Sequence, residues 1–259
     1  MLILLSPAKK LDMQPQATAL PATQADLLEH SQALIHILQE KDAFEIAELM
    51  KLSMKLADLN VARYQAWSLP FHEGNAKQAL WAFRGDVYQT LDADSFSASE
   101  QQVAQQRIRI LSGLYGVLRP SDWMQAYRLE MGTRLPNPRG KHLYDFWGNL
   151  VTQQVETAMQ EQGDDVVINL ASQEYFKVIR PSALRGHIVT PVFKEWKNGQ
   201  WKVIGICAKR ARGLMARFVV QHGIRTVDEL KAFDVQGYQW QADMSDEATL
   251  VFTRNAAAL

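Results

Sequence analysis

Cysteine, metal-binding spacings and nucleophile motifs are nearly absent from this sequence. Cys207 is the only cysteine among 259 residues, which excludes an internal disulfide framework and is typical of a reducing compartment. No His-x-x-x-His, Glu-x-x-His or Cys-x-x-Cys spacing occurs, so the sequence predicts neither a metal site nor a cofactor. A Gly-x-Ser-x-Gly elbow and a Gly-Lys-Ser/Thr phosphate loop are also missing. Their absence argues against a nucleophilic hydrolase and excludes a P-loop enzyme.

Long apolar runs and linkers are missing as well. No window reaches eighteen apolar residues, and the apolar N-terminus lacks a basic segment and ends at Lys9. We therefore expect neither a membrane span nor a signal peptide, and a cytoplasmic location. The chain has no internal repeat, low-complexity tract or Gly/Ser-rich linker. We predict one domain over residues 1–259, which at 47% apolar residues can bury a stable core.

The chain has no net charge, because 28 basic residues balance 28 acidic residues. The charges are unevenly distributed, with a net charge of −5 over residues 1–105, +8 over residues 106–217 and −3 over residues 218–259. Polyanion binding depends on local potential, so the basic central segment leaves such a partner open. The alternative is that folding mixes these charges over the surface.

Helical and strand patterns are interleaved, which predicts a mixed α/β or α+β domain with its helices concentrated early in the chain. Asn198-Gly199 between two β-rich segments predicts a hairpin with a type I′ turn. Ser97 with Glu100, and Thr226 with Glu229, each predict a capped helix start. The predicted strands are 2–6, 166–170, 187–196, 201–207 and 249–253, and the predicted helices include 23–38, 44–67, 97–109, 145–162 and 209–222.

Residues 107–120 (RIRILSGLYGVLRP) contain two glycines after a helix-like pattern. We predict that the helix begun at Ser97 runs through Arg109 into a turn with Gly113 and Gly116. A helix-hairpin-helix element uses such a turn to bring backbone N–H groups and basic side chains to phosphates. The glycine spacing is longer than the usual Gly-x-Gly, and the alternative is a tight turn that needs both glycines.

The densest basic stretch is residues 208–217 (AKRARGLMAR), which its periodicity places on a helix. Its cations lie early in that helix, where the helix dipole opposes positive charge and an external anion would relieve it. Arg119, Arg128, Arg134 and Arg139 extend the basic region, and the guanidinium fork suits phosphate or carboxylate. Aromatic residues lie between these cations and either stack on unpaired bases or belong to the core. A solvated basic face is the alternative for the helix.

Polar residues next to the predicted strands are the candidates for catalysis. Ser6, Lys9 and Asp12 follow the first strand, while Asn169 and Glu174 lie at and after the end of the strand at 166–170. The enzymes of the α/β class often place polar groups there. These residues keep open an enzyme that acts on a phosphorylated or otherwise anionic small molecule, but the sequence assigns no catalytic residue.

Several segments resemble, in order along the chain, motifs of the YaaA peroxide-stress family. They are residues 4–12 (LLSPAKKLD), 83–88 (FRGDVY), 111–120 (LSGLYGVLRP), 126–132 (AYRLEMG), 168–177 (INLASQEYFK) and 208–213 (AKRARG). The resemblance covers nearly the whole chain and is therefore specific. The departures are Ser121, Trp123 and Ala126, the last at a position where proline is frequent, and they affect loop detail.

The resemblance implies a cytosolic bacterial protein that protects against hydrogen peroxide by limiting free intracellular iron, and so damage to DNA and proteins. It also implies an unusual single-domain fold with a basic cleft, a helix-hairpin-helix element and binding to double-stranded or structured DNA, without an established enzymatic reaction. Direct iron sequestration ranks last, because the sequence has no cluster of hard ligands. From the matched motifs and from charge, we predict these nucleic-acid-binding residues: Lys9, Lys10, Arg109, Gly113, Gly116, Arg119, Arg128, Arg134, Lys209, Arg210, Arg212 and Arg217.

Overall fold

The structure is a computed structural model that describes residues 1–255. The strands are β1 (Leu2–Leu5), β2 (Lys10–Leu11), β3 (Lys77–Gln78), β4 (Phe83–Arg84), β5 (Ile108–Ser112), β6 (Gly116–Leu118), β7 (Trp123–Met124), β8 (Val166–Leu170), β9 (His187–Lys197), β10 (Gln200–Lys202), β11 (Gln239–Trp240) and β12 (Thr249–Arg254). The α-helices are α1 (Leu28–Gln39), α2 (Ala43–Met50), α3 (Met54–Ala66), α4 (Ala79–Ala82), α5 (Asp86–Leu91), α6 (Ala98–Arg107), α7 (Leu143–Trp147), α8 (Leu150–Gln162), α9 (Gln173–Phe176), α10 (Gly205–His222) and α11 (Val227–Leu230).

A mostly parallel sheet forms the centre of the molecule. Its strand order is β11-β12-β9-β8-β1-β5-β6, and β10 pairs with the end of β9. The five inner strands from β12 to β5 are parallel, while β11 and β6 are antiparallel at the two edges. The sheet joins strands from both ends of the chain, and the predicted mixed α/β fold in a single domain is confirmed.

The three central strands β8, β1 and β5 are buried on both faces. Every residue of β1 and β5 is buried, as are four of the five residues of β8. Continuous apolar runs of this kind are typical of parallel strands covered by helices on both sides. In α1, the buried residues Ser31, Leu34, Ile35 and Leu38 recur at spacings of three, one and three and so lie on one face of the helix.

Helix α10 packs closely against α5, and this contact places the basic residues of α10. A Cβ atom on Gly213 would lie 2.1 Å from the carbonyl oxygen of Val87 and 2.2 Å from Thr90 Oγ1, so only glycine permits this approach. The Thr90 hydroxyl donates to the carbonyl oxygen of Arg210 at 2.8 Å. The contact holds the first half of α10 beside the loop that precedes α5.

The local turn and capping predictions are confirmed. Asn198 and Gly199 have φ values of 53° and 74° between β9 and β10, as a type I′ turn requires. Capping boxes form at Ser97 with Glu100 and at Thr226 with Glu229. The predicted strand at 249–253 is β12, and it pairs with β11 at residues 239–240.

The prediction that the helix begun at Ser97 continues through Arg109 is wrong. Helix α6 ends at Arg107, and residues 108–118 form the β5–β6 hairpin in place of one half of a helix-hairpin-helix. The run Ile108-Arg-Ile-Leu pairs with β1 in the middle of the sheet, and tertiary pairing there overrides the local helical pattern. A helical hairpin occurs elsewhere in the described chain, where α2 and α3 are joined by three residues, 51–53.

Four other predicted elements have different boundaries. The helix predicted over 23–38 begins only at Leu28, and the helix predicted over 44–67 is two helices, α2 and α3, because Lys51 has φ of 53° and ends the first. The helix predicted over 145–162 is two helices, α7 and α8, because Gly148 has φ of 50° and interrupts the first. The strand predicted over 201–207 ends at Lys202, since α10 begins at Gly205. Among residues 1–255, no helix is both long and apolar enough to cross a membrane.

Candidate functional site

A cleft opens where the loops after β1 and β8 leave the sheet. Ser6 follows β1 and Ser172 follows β8, and the backbone N–H of Ser172 donates to Ser6 Oγ at 2.8 Å. The two hydroxyl oxygens lie 3.3 Å apart, and the Tyr88 hydroxyl donates to the Ser6 carbonyl oxygen at 2.8 Å. The carboxyl ends of adjacent parallel strands are the usual ligand-binding edge of an open α/β sheet. These hydrogen bonds therefore hold the floor of the cleft at the carboxyl ends of β1 and β8.

The cleft has a volume of about 460 Å³, which lies within the range of small-molecule and cofactor sites. Its walls come from the loops after β1 and β8, the start of α5, residues 127–130 and α10. The charged residues that line it are Lys9, Lys10, Arg84, Asp86, Arg128, Glu130, Glu174, Lys209 and Arg212. Six cations and three carboxylates give the lining a net charge of +3.

Three of the six cations have carboxylate partners. Arg84 lies 3.1 Å from Asp94 and 3.6 Å from Asp12. Arg128 Nε donates to Glu130 Oε1 at 3.1 Å, and Lys9 Nζ lies 3.6 Å from the same oxygen. One carboxylate is therefore shared between two cations, so this part of the wall is still basic.

The other three cations, Lys10, Lys209 and Arg212, have no carboxylate within 4 Å among residues 1–255. Lys10 and Lys209 are exposed, whereas Arg212 is only partly exposed. Burial lowers the pKa of the Arg212 guanidinium, and no charged group of the described chain offsets this effect. A half-buried cation without an acceptor is unfavourable, and a bound anion would compensate it.

Tyrosine rings form the inner wall of the cleft. Tyr88, Tyr127 and Tyr175 are buried, and burial raises the pKa of each phenol well above its ordinary value. These groups are neutral at physiological pH. The Tyr127 hydroxyl lies 2.6 Å from Ser112 Oγ. The tyrosines thus supply flat, uncharged surfaces next to the cations.

Glu174 is held at the rim of the cleft by two loops. Its Oε1 accepts from the backbone N–H of Gly132 at 2.9 Å, and its carbonyl oxygen accepts from the Tyr144 hydroxyl at 2.8 Å. Of the other polar residues proposed for catalysis, Asp12 does not line the cleft, and its carboxylate pairs with Lys77 and Arg84. Asn169 is buried. Only Ser6, Lys9 and Glu174 from that set line the cleft.

The structure brings five of the predicted nucleic-acid-binding residues together in the cleft. These residues are Lys9, Lys10, Arg128, Lys209 and Arg212. Arg134 and Arg210 are exposed but do not line the cleft. Arg217 instead contacts Asp92 at 3.4 Å and lies over the Phe96 ring.

The residues predicted from the glycine-rich segment lie elsewhere. Arg109 is buried in β5 and donates to the backbone carbonyls of three residues, 105, 106 and 108, and burial lowers its pKa to about 10. Arg119 is bound to Asp122 and to the Gln24 carbonyl.

Gly113 and Gly116 are themselves buried. The Gly113 carbonyl oxygen accepts from Trp147 Nε1 at 3.0 Å. The expectation that their amides face a phosphate therefore conflicts with the packing around them, and the alternative of a tight turn fits it.

The sequence pattern does not indicate Arg84 or Tyr88 as site residues, whereas Tyr127 is one of the aromatic residues that lie between the predicted cations. Arg84 pairs with Lys10 across the β2–β4 ladder, so two cations from segments 74 positions apart reach the same wall. Arg84 and Tyr88 belong to the FRGDVY segment at 83–88. That segment was noted for its resemblance, but its spacing alone indicates no chemistry. Within residues 1–255, no three His, Cys, Asp or Glu side chains converge as a metal site would require.

Comparison with known proteins places the chain in a family. The model of the family described as peroxide stress protein YaaA matches residues 1–244. A UPF0246 protein of Shewanella loihica is 53% identical over 258 residues, covering 100% of both chains. UPF0246 proteins of Janthinobacterium sp. and Chromobacterium violaceum are 53% and 52% identical, covering 98% of this chain and 98% and 99% of their own. On the strength of a match over nearly its full length, the chain belongs to the YaaA family of peroxide stress proteins.

Proposed function

We propose that this protein is a cytoplasmic DNA-binding member of the peroxide response, and that the cleft holds the DNA backbone. The observation that carries the proposal is the group of three cleft cations, Lys10, Lys209 and Arg212, without a carboxylate partner among residues 1–255. Lysine and arginine contacts to phosphates supply most of the affinity in sequence-independent DNA binding. Double-stranded or structured DNA is the proposed partner.

The chemistry of the cleft favours a phosphate ester over an isolated carboxylate. Arg212 offers a planar fork of donors, which matches two phosphate oxygens. Neutral tyrosine surfaces lie beside it, and aromatic faces next to cations accommodate nucleotide bases. The family is described as a peroxide stress protein, which supports a role for this DNA binding in the response to peroxide.

The experiment compares two triple variants that remove equal charge. Lys10→Ala/Lys209→Ala/Arg212→Ala removes the unpaired cleft cations, and we expect about 100-fold weaker binding to a 20-base-pair duplex, from roughly 1 kcal/mol for each phosphate contact. Lys55→Ala/Lys141→Ala/Arg180→Ala removes three exposed cations outside the cleft lining. We expect this control to lose less than threefold. Equal losses in the two variants would show that general surface charge, rather than the cleft, binds DNA.

We also propose that the protein protects DNA and proteins by limiting free intracellular iron. This part rests on the family membership and needs a separate test. Chelator-accessible iron, measured by electron paramagnetic resonance in peroxide-treated cells, should rise when the gene is deleted and return to normal on complementation. If the cleft triple variant complements fully, iron limitation does not depend on the cleft.

A second candidate function is an enzyme acting on an anionic small molecule. The specific observation in its favour is the pair of serine hydroxyls, Ser6 and Ser172, with Glu174 at the carboxyl edge of the sheet. Thermal-shift titration with nucleoside monophosphates and sugar phosphates tests this alternative. A saturable shift that disappears in Arg212→Ala, with no duplex binding by the wild-type protein, would replace the DNA proposal with this one.

A further inference from the structure

The end of β9 extends beyond β8 on the side of the sheet where the cleft opens, while β12 still pairs with its residues 190–195. Strand β8 pairs with β9 at residues 187–189 and ends at Leu170, which the register places level with residue 191. Strand β9 continues to Lys197 and then turns back as β10. Six residues at about 3.3 Å each extend roughly 20 Å beyond β8. We call residues 192–202 the projecting hairpin.

The projecting hairpin carries an exposed pair of tryptophans. Trp196 and Trp201 are directly opposite each other in the ladder, with ring centroids 4.9 Å apart. Trp196 is 44% exposed, and Trp201 is partly exposed. Cross-strand aromatic pairs stabilise hairpins, but that role does not require so much of one ring to face solvent.

The charged residues of the projecting hairpin leave both of its faces positive. Side chains alternate along a strand, so Lys194 shares the face of the tryptophan pair, while Lys197 and Lys202 belong to the other face. Lys194, Lys197 and Lys202 lie on the projecting hairpin, and none has a carboxylate within 4 Å among residues 1–255. The only acidic residue of the hairpin is Glu195, which is buried and bound to Arg254 at 3.0 Å. The hairpin therefore carries the tryptophan pair and Lys194 on one face, with two further uncompensated ammonium groups on the other.

The chain path keeps this surface close to the cleft. Two residues, 203 and 204, separate Lys202 from Gly205, where α10 begins, and Lys209 lies one helical turn further on. The two lysine Cα atoms are thus separated by at most about 17 Å. At 3.4 Å per nucleotide of a stacked strand, that distance is about five nucleotides.

We propose that the projecting hairpin binds unpaired nucleotides of a DNA strand, with a base stacked on Trp196, while the phosphates of the same strand continue into the cleft. The inference rests on the proposed DNA-binding function and specifies which form of DNA reaches this surface. Stacking surfaces combined with cationic grooves are the general means of binding single strands without sequence preference. The complementary charge of the hairpin favours a polyanion as the occupant.

The test separates stacking from charge by using two probes with the same phosphates. One is a 12-nucleotide single-stranded oligodeoxynucleotide, and the other is a 12-unit strand of abasic sites. We expect Trp196→Ala to weaken binding of the base-bearing strand at least fivefold and of the abasic strand less than twofold. Trp196→Phe should restore most of the loss. Phe44→Ala, which removes an exposed ring on α2, is the matched control and should change neither affinity.

Fluorescence of the wild-type protein gives a second readout that does not depend on any variant folding. Iodide should quench the exposed tryptophan, and the base-bearing strand should protect it while the abasic strand does not. Equal loss of affinity for both probes in Trp196→Ala, or equal protection by both, would overturn the stacking role. If the cleft triple variant binds DNA normally, the proposed function fails. If only the Trp196 variants bind normally, the hairpin inference alone fails.

Discussion

Arg212 illustrates how a residue can be unfavourable for folding and still fit its site. Its guanidinium is partly buried at the cleft wall, and no acceptor from residues 1–255 contacts it. Buried charges without partners destabilise a fold, and hydrophobic replacements of similar size are often neutral or stabilising. Replacing Arg212 by an apolar residue should therefore lower the affinity for DNA and at the same time raise the free energy of unfolding.

We expect Arg212→Met to raise the free energy of unfolding by about 1 kcal/mol, because it removes an uncompensated charge while keeping the side-chain volume. For a chain of this size, that corresponds to an increase in Tm of about 2–4 °C. Duplex affinity should fall in the same variant. Arg210→Met, at an exposed position on the same helix, should change Tm by less than about 1 °C. A fall in Tm for Arg212→Met would mean that the guanidinium has an internal partner.

The β9–β10 turn shows how an element depends on the conformation of single residues. Gly199 has φ of 74°, and an added Cβ would meet no atom within 4 Å. The cost of Gly199→Ala is therefore conformational rather than steric, at about 1 kcal/mol. Gly205, at the start of α10, also has open space around it but no positive φ. Gly205→Ala should stabilise the fold by about 0.5 kcal/mol, because alanine reduces the entropy of the unfolded chain.

Urea unfolding of these two variants, monitored by far-UV circular dichroism, should give shifts of opposite sign. The pair is matched in volume change and differs only in backbone conformation. Shifts of the same sign would contradict the type I′ turn at Asn198-Gly199.

Elements with local determinants could be predicted from the sequence. The Asn198-Gly199 turn and the capping boxes depend on residues within four positions of one another, and each is present. The predicted helix is wrong at residues 108 and 109 because they begin a central strand whose residues are all buried. A strand buried on both faces shows no alternation of apolar and polar residues, so the sequence pattern does not distinguish it from a buried helix. The cleft was beyond sequence reasoning for a related reason. Bringing Lys10, Arg128 and Arg212 to one wall depends on strand order and on the α10–α5 contact, and a single sequence specifies neither.

The distribution of charge over the whole molecule limits how many phosphates the protein can neutralise. Five of the seventeen basic residues in the central segment have a carboxylate partner, as Arg107 has Asp164 at 2.9 Å and Arg119 has Asp122 at 3.0 Å. The net charge of +8 over residues 106–217 already counts these two carboxylates, whereas the cleft holds only three cations without a carboxylate partner among residues 1–255, Lys10, Lys209 and Arg212. Which cations remain without a carboxylate partner depends on ion pairs between residues that are distant in the sequence, and the sequence alone does not reveal these pairs.

The salt dependence of duplex binding should report this smaller number. Each neutralised phosphate contributes about −0.9 to the slope of log affinity against log salt, so three free cleft cations predict a slope of about −3. Fluorescence anisotropy of a labelled duplex between about 50 and 200 mM salt measures it. The Lys10/Lys209/Arg212 triple alanine variant should bring the slope close to zero, and the matched triple variant outside the cleft should leave it near −3. A wild-type slope of −7 or steeper would mean that DNA contacts the basic surface well beyond the cleft, because three free cations cannot displace that many counterions.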